Sequence, residues 1–273
     1  MSQEQEKDYV LGTHDEEIER LGLQHRVWRP RVLDAWRRAG LTLGQTIVDV
    51  GCGPGFSTLD LAGITGPAGR VVAVDRSRRF LAALEEARRQ RGIGWIEAHE
   101  QDLDLRELPV TGADAAWSRW VLAFVKDPHV LVERIARALR PGGTFVSHEY
   151  VDYGTWRFMP RSESFERFVA LVMEVWRESG GEPDIGLDLP GRLQELGFEV
   201  RSTRPLIEIV PPSSYVWHWP RSFVQVGLRR LVDLGRIGAG QAAEVEAEFA
   251  ARQQTPGTLM ITPLVLETIA VRR

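Results

Sequence analysis

The sequence predicts an α/β fold in which a mostly parallel sheet carries helices on both faces. Three observations support it. Short apolar runs alternate with amphipathic runs from Thr46 to Tyr150, and turns rich in Gly and Pro separate them. At 273 residues, the chain is long enough for one elaborated α/β domain and short for two independent enzymes. The expected organisation is therefore a single domain. It has a helical N-terminal cap over 1–43, a core over 44–150, a lid insertion over 151–188, and a C-terminal helix and strands over 189–273 interrupted by a second insertion at 211–257.

Taken in order, Thr13 and Glu16 have the spacing of a capping box. Ile18, Leu21, Val32, Leu33 and Trp36 follow at helical spacing, in two segments that Pro30 is expected to separate. Strands are expected at Ile47 to Val50, Arg70 to Val74, around Trp95 to Glu100, around Ala113 to Ser118, and at Thr144 to Tyr150. Helices are expected at Phe56 to Ala62 and Ser77 to Gln90, then after Asp127, with Pro128 in the first helical position. Beyond Tyr150 the alternation stops. Ser162 to Ser179 reads as an amphipathic helix, and the loop over 180–188 is a candidate lid. A short helix at Leu189 to Leu196 precedes a strand at Phe198 to Val210. The second insertion carries helical patterns at Arg221 to Leu234 and Gln241 to Arg252, and Leu264 to Val271 is the last strand.

A formal net charge of −4 and a mean hydropathy of −0.20 lack the basic footprint of a nucleic-acid binder and favour a small-molecule partner. No segment is apolar for long enough to span a bilayer, and the polar, acidic start lacks the pattern of a signal peptide. The expectation is a cytoplasmic protein that engages neither nucleic acid nor membrane, with homodimerisation left open. Cys52 is the single cysteine, which removes intramolecular disulfides and thiolate metal clusters. His148 and Glu149 are neighbours on a strand and point to opposite faces, so no metal site is expected there.

Chemistry concentrates at the strand ends. Val48-Asp49-Val50-Gly51-Cys52-Gly53-Pro54-Gly55 closes the first strand and opens a helix, where glycine lets the backbone turn and approach a ligand. A dinucleotide loop would need glycine at the position of Phe56. Val71-Val72-Ala73-Val74-Asp75 ends the second strand in a carboxylate suited to both hydroxyls of a ribose. Asp75 could otherwise serve as a helix cap. Glu100-Gln101-Asp102-Leu103 follows the third strand, Ala115-Ala116-Trp117-Ser118-Arg119-Trp120 after Asp114 runs through the end of the fourth, and Pro141-Gly142-Gly143 precedes the fifth. In this order and spacing, over about Thr46 to Tyr150, the chain resembles the class I S-adenosylmethionine-dependent methyltransferases, bacterial small-molecule type.

The resemblance implies a Rossmann-like fold with a seven-stranded, mostly parallel sheet. It also implies S-adenosylmethionine as cofactor, with S-adenosylhomocysteine as product. Cofactor contacts are expected from Asp49, Gly51, Gly53 and Gly55, from Asp75 and Arg76, and from Asp102 and Leu103 against adenine. His99 is the alternative adenine position if the third strand ends early. Ser118 and, on the N-terminal helix, Trp28 complete the expected set. Methyl transfer is an in-line displacement that chiefly needs positioning and exclusion of water. A base at the tip of the fifth strand would serve a protic acceptor, and His148 and Glu149 are the candidates. Trp117, Trp120, Tyr150, Tyr153, Trp156 and Trp217 are expected to line a pocket for a flat apolar or aromatic metabolite methylated on oxygen or nitrogen. An RNA or protein methyltransferase, and a cofactor-binding protein that keeps the fold without methyl transfer, are the alternatives.

Overall fold

The computed structural model describes residues 15–273. A long helix α1 (Asp15–Ala39) leads into the alternating core of β1 (Thr46–Val50), α2 (Phe56–Thr65), β2 (Arg70–Asp75), α3 (Arg78–Gln90), β3 (Ile96–Glu100), β4 (Ala113–Arg119), α4 (Pro128–Ala138) and β5 (Leu139–Asp152). Then come β6 (Arg157–Met159), α5 (Glu163–Glu178), α6 (Leu189–Glu195), β7 (Phe198–Leu206), β8 (Ile209–Val210), α7 (His218–Asp233), α8 (Ala239–Gln254), β9 (Leu259–Ile261) and β10 (Leu264–Arg272).

One sheet has seven strands in the order β3-β2-β1-β4-β5-β10-β7. Pairing is parallel from β3 to β5, and β10 runs antiparallel to both β5 and β7. Ile47, Val48, Val50 and the run from Val71 to Val74 are buried, as strands covered by helices on both faces must be. The chain leaves β1 for β2 on one side and returns to β4 on the other. Their carboxyl ends therefore splay apart and open a crevice between the loops that follow them. Ser77, Asp127 and Ser162 cap α3, α4 and α5 through side-chain oxygens that accept from Phe80, Val130 and Phe165 backbone N–H groups.

Several expectations need correction. Pro30 does not divide the N-terminal segment, because α1 is continuous around it. Proline removes only its own helical hydrogen bond, and the Arg31 guanidinium donates to the carbonyl of Val27 alongside. Burial of Val27, Trp28, Val32, Ala35 and Trp36 against the core makes up for the loss. Thr13 of the expected capping box lies outside the described residues. The strand expected over Phe198 to Val210 is two, β7 and β8, and β8 leaves for a small sheet of order β6-β9-β8. Two of those strands have three residues and one has two, too few to show a period of alternation. The loop expected as a lid contains a 3-10 turn at Ile185–Leu187.

Candidate functional site

At the carboxyl ends of β1, β2 and β4 lies a cavity of about 180 Å³. Its floor is the turn after β1, where Gly51, Gly53 and Gly55 all have positive φ, at 67°, 54° and 85°. The three glycines serve different ends. A Cβ at Gly51 would sit 2.5 Å from Val121 Cγ2, and one at Gly55 would sit 2.4 Å from Leu84 Cδ1, whereas one at Gly53 would meet nothing within 4 Å. Gly51 and Gly55 let the turn close on its own protein, and Gly53 leaves the cavity floor bare.

Asp75 rises beside that floor. One carboxylate oxygen accepts from the Gly53 N–H at 2.8 Å and the other from the Ser77 N–H at 2.8 Å. Each oxygen retains a lone pair for a hydroxyl. Burial pushes the Asp75 pKa up, against the pull of those backbone donors. Asp49 is buried below the loop and accepts from Thr58 Oγ1 at 2.6 Å. Burial pushes its pKa up to about 7. Arg76, Asp102 and Leu103 also line the cavity, and the Asp102 side chain folds its own loop by accepting from the Asp104 N–H at 2.9 Å. β3 runs on to Glu100, so His99 stays within the strand and off the cavity wall.

Much of the cavity wall is aromatic. Trp117, Trp120, Tyr150 and Tyr153 line it as expected, joined by Phe124, Trp176 and Phe223. Trp120 stacks between Tyr150 (centroids 5.2 Å apart, planes at 13°) and Trp219 (5.6 Å, 10°). Trp120 itself has φ of 52°, an uncommon conformation for a bulky residue that turns the chain as β4 ends. Its N–H donates to the His148 carbonyl at 2.9 Å. Arg119 also lines the cavity, with its guanidinium carbon 5.3 Å from the centre of the Trp120 ring. Sequence reasoning passed over Arg119, Gln24 and Trp176. The one available signal for Arg119 was a charge at the carboxyl end of a mostly buried strand.

Both candidate bases need correction. His148 is fully buried, sits edge-on to Trp28 and Trp117, and has Nε2 3.3 Å from Glu267. Glu267 in turn pairs with Arg38 of α1. Burial lowers the His148 pKa. Glu149, on the opposite face and equally buried, accepts from the backbone N–H groups of Val121 and Leu122 at 2.9 and 3.0 Å. Neither lines the cavity. The physical reason is length: β5 continues to Asp152, so these residues lie inside the strand and its tip comes later. Further corrections concern Gly55, which caps α2 against Leu84, and Ser118, which is buried with its hydroxyl 3.4 Å from that of Ser147. Trp28 packs edge-on to Trp120 and Trp219 in the core. Trp156 and Trp217 are also core, packed on Phe165 and Phe249 respectively. None of these five lines the cavity.

Residues 48–147 match a family model described as a methyltransferase domain. A trans-aconitate 2-methyltransferase from Azoarcus sp. is 36% identical over 111 residues, covering 40% of this chain and 41% of that protein. A demethylmenaquinone methyltransferase from Geobacillus kaustophilus is 24% identical over 193 residues, covering 67% and 81%. The chain spans 30% to 58% of the length of three curated relatives that are at least 30% identical to it. Among solved structures, a coclaurine N-methyltransferase bound to N-methylheliamine and SAH superposes with a TM-score of 0.56 at 18% identity, covering 89% of this chain and 72% of that one. The cyclase SpnF does so with a TM-score of 0.57 at 21% identity, covering 89% and 80%. At such identities the solved structures speak to the fold.

Proposed function

We propose that the chain, which carries a methyltransferase domain over 48–147 on the class I methyltransferase fold, transfers a methyl group from S-adenosylmethionine to an oxygen or nitrogen of a small, flat, apolar or aromatic molecule. One observation carries the reading: a single cavity joins the glycine turn and Asp75 to a wall of aromatic rings. The residues present fit the cofactor. Gly53 leaves room for close approach, the Asp75 carboxylate suits the ribose, and Asp102 and Leu103, which line the same cavity, suit the adenine. When bound, S-adenosylmethionine supplies an electrophilic methyl group on a sulfonium.

The acceptor end favours a flat partner over a polyanion. Trp120, Phe124, Tyr150, Tyr153, Trp176 and Phe223 offer faces and edges, which suit a quinol or phenol ring such as the name of the demethylmenaquinone relative suggests. These rings also attract a sulfonium, by roughly 0.5 to 2 kcal/mol when water is excluded. His148 and Glu149 do not line the cavity, and the chain's contribution to the step is orientation and desolvation. An acidic acceptor would arrive already ionised. The aromatic wall and a pI near 5.9 disfavour RNA or a protein as acceptor.

Calorimetry is expected to show S-adenosylmethionine and S-adenosylhomocysteine binding, with NAD weaker than either because Phe56 stands where a dinucleotide fingerprint has its third glycine. Tighter binding of NAD would sink the reading. Given binding, a mass-spectrometric screen of phenols, quinols and amines tests transfer itself. The same fold superposes on a cyclase, so cofactor binding without methylation of any class of acceptor would favour a non-methylating enzyme.

A further inference from the structure

Arg119 stands out among the buried and half-buried arginines. Arg20 is held by Glu17 and Gln24, and Arg38 by Asp34 and Glu267. Arg119 makes no ion pair among the described residues, and its Nη1 is buried without a hydrogen-bond partner. Yet its position is fixed. Its Nη2 lies 3.4 Å from His25 Nδ1, and His25 Nε2 lies 3.1 Å from Asp60, which also holds Arg29. With Nε2–H donating to Asp60, a neutral His25 presents the Nδ1 lone pair to the guanidinium. The imidazole is stacked on Phe56, centroids 5.9 Å apart and planes at 22°. A pre-oriented guanidinium that lines a cavity and lacks an anion is built to receive one.

We propose that Arg119 is the carboxylate-binding residue of the cavity, positioned by His25 and through it by Asp60, and that it takes the α-carboxylate of the methionyl part of the cofactor. The inference rests on the cofactor reading above. A carboxylate could belong to the cofactor or to the acceptor, and the placement favours the cofactor. Val50 of β1 pairs with Ser118 of β4, which puts Arg119 level with the glycine turn. Asp49 lies close enough for its charge to be felt at the guanidinium. A carboxyl group and a guanidinium so placed match the ammonium and carboxylate of an amino acid.

The test compares two probes by calorimetry: S-adenosylhomocysteine, and 5′-methylthioadenosine, which keeps the adenosine and thioether but lacks the amino-acid group. In Arg119→Gln, the first is expected to bind about 10- to 100-fold more weakly and the second as in the native chain, with Arg119→Lys intermediate. His25→Ala and Asp60→Asn, as positioning variants, should show the same selectivity at smaller amplitude. Equal loss of both probes would make Arg119 a structural residue and overturn the proposal, and so would unchanged S-adenosylhomocysteine affinity in Arg119→Gln. If that affinity holds while phenylacetate no longer binds the S-adenosylhomocysteine complex, the carboxylate is the acceptor's and the cofactor assignment is wrong. Failure of the native chain to bind either probe would instead overturn the cofactor reading itself.

Discussion

Asp75→Ala is expected to weaken S-adenosylhomocysteine binding by about 10²- to 10⁴-fold. Two hydrogen bonds from the ribose to an ionised carboxylate would be lost, each contributing roughly 1.5 to 3 kcal/mol, less whatever water restores. The same carboxylate holds the Gly53 and Ser77 N–H groups at 2.8 Å, so the glycine turn would also lose the anchor that shapes the cavity floor. Asp75→Asn, with one acceptor oxygen in place of two, is expected to fall between. Circular dichroism of the variant separates loss of the site from loss of the fold. If affinity were unchanged in a folded Asp75→Ala protein, the carboxylate would be a loop tether and nothing more, and the ribose would have to lie elsewhere.

Glu149→Ala is expected to unfold the protein about 5 to 20 °C sooner. The change strands two buried N–H groups, those of Val121 and Leu122, at roughly 1 to 3 kcal/mol each. A chain of this size loses about 2 to 4 °C per kcal/mol. An accompanying pH effect identifies the cause. Burial pushes the Glu149 pKa up to about 7 from 4.5, so between those values the folded chain holds a proton that the unfolded chain has released. Stability from the neutral carboxyl is complete below pH 4.5 and declines as pH rises through 7, by on the order of 3 kcal/mol in total. Glu149→Gln keeps an acceptor oxygen for the two N–H groups and cannot ionise. The difference in unfolding free energy between the native chain and Glu149→Gln should therefore shift toward the variant as pH rises, while the slope from Asp49, common to both, cancels. Parallel pH curves would mean that the carboxyl ionises normally.

How much of this was legible beforehand follows from the range of each signal. The β1 strand, the glycine turn and the carboxylate ending β2 could be read because each is set by neighbours along the chain: apolar runs for buried strands, glycine for positive φ, a carboxylate at a strand tip. Asp49, Gly51, Gly53, Asp75, Arg76, Asp102 and Leu103 all line the cavity accordingly. The aromatic wall was half legible. Trp117, Trp120, Tyr150 and Tyr153 face it, but Trp156 and Trp217 are core, since a tryptophan's sequence neighbours do not reveal which element will cover it.

His148 and Glu149 show the limit most clearly. Both are chemically apt, and both were placed at a strand tip that turned out to lie further on, at Asp152. Where a strand ends depends on its partners: β10 pairs with β5 as far as Leu264 opposite Asp152, and no local residue announces it. Arg119 is the converse case. Its role comes from His25 on α1 and Asp60 on α2, which are 94 and 35 residues away from their partners in sequence. From the sequence by itself came the sheet, the glycine turn and the carboxylates beside it, because backbone conformation and strand burial obey short-range rules. Which polar groups face the cavity and which are walled into the core was decided only by the tertiary structure, because that depends on what distant elements pack against each side chain.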